Sequence, residues 1–137
     1  MSQTLVDPVS VVKDVYAAFG RGDVPGVLDL LTPDVVWEVV GRKGEYPMYG
    51  RRHGLEGARE FFDTLGATED LTKFEPQSFH ASGDMVFVQG RIAGSVRRTG
   101  RNVETDWLQI FTVRDGRVAA FKEFYDTAQV TEAYRGG

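Results

Sequence analysis

The chain has 137 residues, 42% of them hydrophobic and 26% charged, with a formal net charge of −4. That length suits one domain with its own core, without metal or disulfide staples, and the acidic balance argues against an electrostatic nucleic-acid footprint. No run approaches a membrane span, the N-terminus lacks a basic-plus-apolar signal, and zero cysteines remove disulfide and thiolate chemistry and fit a reducing, cytoplasmic setting.

The elements read clearly in chain order. Asp7 can cap a first helix with Pro8 in its first turn, and Val12, Val15, Tyr16 and Phe19 recur at helical spacing until Gly20 and Gly22. Asp23 then caps a shorter helix carrying Val27, Leu28, Leu30 and Leu31, ended by Thr32-Pro33. Asp34 to Val40 alternates as a strand, with Val35, Trp37 and Val39 on one face. A loop from Gly41 to Gly54 embeds Tyr46 and Tyr49, the composition of a pocket rim. A third helix is expected over about 55–65, packing Leu55, Ala58, Phe62 and Leu65. Four strands follow, near 71–81, 84–97, 103–113 and 117–127, with turns at Ser82-Gly83-Asp84, Thr99-Gly100 and Asp115-Gly116. Helices first and a meander last predict an α+β fold, with three N-terminal helices over the concave face of a curved, mostly antiparallel sheet.

Side-chain direction depends on hairpin register, because a one-residue slip reverses every face. If the loops around Gly100 and Gly116 both hold three residues, Arg91, Trp107 and Glu123 form one row across three strands. The outer backbones of such a row lie about 10 Å apart, within reach of a long arginine and glutamate. Gln89, Gln109, Phe111, Phe121 and Tyr125 then share that inward face. A two-residue Asp-Gly turn would instead bring Lys122, Phe124 and Asp126 inward.

The run Tyr16-Ala17-Ala18-Phe19-Gly20-Arg21-Gly22-Asp23, then Asp34-Val35-Val36-Trp37-Glu38, then Tyr49-Gly50 and Gly54-Leu55-Glu56-Gly57, resembles the nuclear transport factor 2-like superfamily. The closing Asp115-Gly116-Arg117-Val118 and Glu123-Phe124-Tyr125-Asp126 match its SnoaL-like branch, which includes polyketide cyclases and ketosteroid-isomerase-related proteins. The resemblance implies a cone-shaped fold around a small-molecule pocket, a homodimer through the outer face of the sheet, and Glu123 rather than Asp126 facing inward. In the related limonene-epoxide hydrolases two carboxylates flank an arginine. Arg91 and Glu123 match two of these positions, but Ala93 occupies the second carboxylate position and Val39 the water-holding one. Val39 also replaces the base aspartate of ketosteroid isomerases, and Tyr16 is one residue out of step with their oxyanion tyrosine.

Glu123 is therefore the first candidate for proton transfer, with Arg91 as the group that stabilises developing negative charge. Asp126 is the second candidate, set against a role as cap of a terminal helix around Ala128 to Tyr134. Tyr16, Trp37, Tyr49, Gln89, Trp107, Gln109, Phe121 and Tyr125 are the expected substrate contacts. The reaction this implies is a cofactor-independent isomerisation, cyclisation or lysis of a hydrophobic carbonyl compound. A ligand-binding or protein-association role without catalysis is the alternative. His53 and His80 have no metal-ligand spacing, and no nucleophile elbow or phosphate loop is present.

Overall fold

A computed structural model describes residues 7–135. Helix α1 (Pro8–Gly20) starts as expected, with the Asp7 side chain accepting from the Val9 N–H. Helix α2 (Val24–Leu28) is capped by Asp23, which accepts from the Gly26 N–H. The chain then enters β1 (Leu31–Val39) three residues before Asp34. The helical spacing of the sequence extends to Leu30 and Leu31, but the Leu30 carbonyl accepts from Val118 N–H and draws this segment into the sheet. Strand β2 (Gly50–His53) emerges from the expected loop and leads into α3 (Gly54–Thr68). The meander is β3 (Glu69–Ser82), β4 (Met85–Val96), β5 (Asn102–Arg114) and β6 (Arg117–Tyr125), followed by α4 (Thr127–Tyr134).

The six strands form one curved sheet in the order β2-β1-β6-β5-β4-β3, antiparallel except where β1 runs parallel to β6. Among the described residues the helices are four: α1, α2 and α3 lie in the N-terminal half, with β1 and β2 between α2 and α3, and α4 follows the last strand. Among the described residues, no helix is long and apolar enough to cross a membrane.

Two registers decide which residues face inward. Between β4 and β5 the pairs are Ser95 with Asn102 and Gly90 with Trp107, so the connecting loop holds four residues rather than three. That single residue reverses the predicted face of β4. Between β5 and β6, Arg114 pairs with Arg117 across a two-residue turn in which Asp115 and Gly116 both have positive φ, of 52° and 78°, the geometry that suits a twisted hairpin. The shorter turn alone would have put Glu123 outside. A register shift between Thr112 and Val113 leaves Ala119 as an extra residue in β6, and this bulge restores Phe121, Glu123 and Tyr125 to the inner face.

Candidate functional site

The inner face of the sheet, α1, α3 and α4 line a cavity of about 70 Å³. That is several times what one water requires, so the cone is not filled by its own side chains. Its wall is mainly apolar and rich in rings, with Tyr16, Phe62, Phe74, Phe111 and Phe121 among the lining residues. Trp37 lies flat on Phe121 at 3.9 Å between centroids, and Tyr16 packs edge-on against Phe74 and Phe111. These contacts hold the wall rigid by offset and edge-to-face ring geometry.

One polar chain crosses this apolar interior. The Tyr16 hydroxyl donates to Gln109 Oε1 at 2.8 Å, and Gln109 Nε2 donates to Glu123 Oε2 at 2.8 Å. The order of donors follows from chemistry. Burial pushes the Tyr16 phenol well above its ordinary value, with the nearby Glu123 charge adding to the shift, so the hydroxyl keeps its proton and orients the amide. Glu123 is 6% exposed, and its second carboxyl oxygen has no hydrogen bond among the described residues. Burial raises its pKa to about 7, the Gln109 hydrogen bond opposes that rise, and the charge of Glu69 adds to it. Because Gln109 donates to Oε2, a proton on this carboxyl belongs on Oε1.

Glu69 is the second buried carboxyl, 8% exposed and lining the same cavity. It accepts from the hydroxyls of Tyr46 and of Tyr134, the latter at 2.9 Å, both on Oε2. Burial raises its pKa, while the two tyrosine hydrogen bonds hold the rise back. The Tyr125 hydroxyl lies within electrostatic reach of both glutamates, close to Tyr46, and completes no hydrogen bond among the described residues.

The fold that carries this site is shared with related sequences and structures. The SnoaL-like domain profile matches residues 12–121. The chain belongs to the SnoaL-like domain family. An uncharacterised protein of Mycobacterium tuberculosis is 26% identical over 129 residues, covering 92% of this chain and 94% of its own. A nuclear transport factor 2-like protein of Burkholderia xenovorans shares 32% identity at a TM-score of 0.83, covering 92% of this chain and 94% of that one. A structure of TerC co-crystallised with polyporic acid is 26% identical at a TM-score of 0.81, covering 94% and 98%.

Within this SnoaL-like cone the predicted site residues divide. Tyr16, Trp37, Gln109, Phe121, Glu123 and Tyr125 line the cavity. Arg91 does not face it. Arg91 pairs with Asp106 across the outer face, donating to Asp106 Oδ1 at 2.7 Å with Glu104 at 3.5 Å, and its side chain is 36% exposed. Gln89 shares that outer face and accepts from the Ser78 hydroxyl at 3.1 Å. Both displacements follow from the four-residue β4–β5 loop. Trp107 faces inward but is core: it stacks on Phe74 at 5.0 Å with 7° between planes, over Gly90. Tyr49 is buried and spends its hydroxyl on the Thr127 carbonyl and the Thr131 hydroxyl. Asp126 is exposed and caps α4 by accepting from the Gln129 N–H. Sequence reasoning does not find Glu69, because Glu69-Asp70 falls between the expected third helix and the next strand, where acidic residues are ordinarily solvated. Only the tyrosines at 46 and 134, distant in sequence, mark it as buried.

Proposed function

We propose that this SnoaL-like protein binds a small, flat, largely apolar carbonyl compound in its cone and moves a proton on it, as an isomerase, cyclase or lyase would. The observation that carries the reading is the buried Glu123 carboxyl, whose pKa near 7 leaves acid and base forms both populated at neutrality. In the base form, Oε1 takes a proton from a carbon beside the substrate carbonyl. The electron pair moves into an enolate, and the acid form returns the proton to a different carbon. Tyr16 and Gln109 act as positioning residues that aim the carboxyl. With Arg91 on the outer face, the enolate oxygen needs another donor. The Tyr125 hydroxyl, raised by burial and by the Glu123 charge and therefore protonated, supports an assignment to that role. The aromatic wall suits a flat ligand, and the polyporic acid held by TerC supports a small organic acid or its enol as a ligand of this scaffold.

A hydrogen-deuterium exchange assay tests this reading. The α-hydrogens of β-tetralone in heavy water are expected to exchange faster with the protein than without it, and Glu123→Gln is expected to lower that rate by about 100-fold or more. β-Naphthol serves as the enolate mimic. A second reading, a ligand carrier without catalysis, is favoured by the closure of the Tyr16–Gln109–Glu123 chain on itself. Binding of β-naphthol with no exchange of tetralone would select it. We also propose a homodimer through the outer face of the sheet, where Phe87 pairs with Ile110 and Leu108 with Phe124, which is 37% exposed. Light scattering of wild type against Phe124→Glu checks it, with a wild-type monomer counting against it.

A further inference from the structure

Glu123 is one of two buried carboxyls in the cavity, and the reading above uses only that one. Glu69 sits at the start of edge strand β3, paired with Val96, whereas Glu123 lies in the body of β6 opposite Gln109. The two therefore enter the cone from different strands, with Tyr125 close to both. Each commits Oε2 to protein donors and leaves its other oxygen without a hydrogen bond among the described residues. The wall around them is largely apolar, and Glu69 and Glu123 are its two carboxyls. Neither oxygen is among the buried side-chain atoms without a partner, so both open onto the cavity, where a ligand hydroxyl can reach them.

We propose that Glu69 is a second ligand-binding residue, and that the cavity selects flat aromatic or enolic molecules carrying one hydroxyl at each of two ends. One hydroxyl donates to Glu123 and the other to Glu69, while the Tyr125 hydroxyl meets polar atoms between them. Tyr46 and Tyr134 hold Glu69 in place and keep its charge from being fully unsatisfied when the cavity is empty. This rests on the cavity being the ligand site, as proposed above, and adds to it the class of ligand.

The test is a calorimetric binding series with the full chain. It compares phenol with hydroquinone, and β-naphthol with the dihydroxynaphthalene whose hydroxyls lie at opposite ends; the dimethyl ether of the latter is the control. The end-to-end diol of whichever ring system fits is expected to bind about tenfold tighter than its mono-ol, the scale of one charge-assisted hydrogen bond. The dimethyl ether is expected to bind no tighter than the mono-ol. Glu69→Gln should remove the diol's advantage while leaving mono-ol binding within about twofold, whereas Glu123→Gln should weaken both. The wild-type series stands even if a variant fails to fold. A diol that binds no tighter than its mono-ol, with the mono-ol still dependent on Glu123, overturns the role of Glu69 and leaves the single-carboxyl reading intact. No binding of any compound overturns both.

Discussion

Replacing Glu123 by Gln keeps the shape of the side chain and an acceptor for Gln109 Nε2, but removes the ionisation. In the folded protein this carboxyl titrates at about 7, against an ordinary value of 4.5. Between those values the unfolded chain has released the proton and the folded chain still holds it. Stability contributed by this group is thus complete below the unfolded value and falls as pH rises through the folded one. A rise from 4.5 to about 7 corresponds to about 3 kcal/mol at 1.36 kcal/mol per pH unit. Urea unfolding of wild type and Glu123→Gln across about pH 4 to 8 should show the variant gaining on wild type by about 3 kcal/mol, or roughly 10 °C in Tm for a chain of this size. Glu69 is common to both proteins but its charge couples to Glu123, so the difference reports Glu123 together with that coupling. A gap that stays constant across that range would refute the raised pKa, and with it the argument that Glu123 exchanges protons near neutrality.

Other substitutions probe the geometry around this site. Arg91→Met should leave the urea midpoint nearly unchanged, because its ion pairs lie on an exposed face, and naphthol affinity measured by calorimetry should not move. Gly90→Ala should destabilise by about 1–3 kcal/mol in urea titrations, since a Cβ there would meet the Trp107 ring and come within 2.5 Å of the Glu75 carbonyl oxygen. Tyr16→Phe frees the Gln109 amide to turn, and carboxyl carbon NMR should then find the Glu123 titration displaced from its wild-type position. Asp126→Ala should cost about 1 kcal/mol through loss of the α4 cap, with tetralone exchange unchanged if the residue is only a cap.

Local chemistry made much of the fold legible. The Asp7-Pro8 and Asp23 starts, the alternation around Trp37 and the Asp115-Gly116 turn are written into neighbouring residues, and each holds in three dimensions. Strand β2 was not legible, because Gly50–His53 is short and polar and is a strand only through its pairing with β1. The site was legible in part. Gln109, Phe121, Glu123 and Tyr125 face inward as expected, but Glu123 does so through a two-residue turn compensated by the bulge at Ala119 rather than through the three-residue loop that suggested it.

Alternation along β4 established that Arg91 and Gln89 share a face, and that Val86, Val88 and Gly90 share the other. Which face meets the cavity depended on one residue in the loop between Val96 and Arg101, and sequence periodicity carries no information on that count. The buried setting of Glu69 was likewise beyond local reading. It arises where the loop at Tyr46, the end of α3 and the terminal helix at Tyr134 converge, and long-range packing alone brings those hydroxyls to one carboxyl. Residue order determined the elements and the aromatic, proton-bearing character of the interior. Strand registry and chain convergence decided which charges are buried, because burial is a property of distant neighbours.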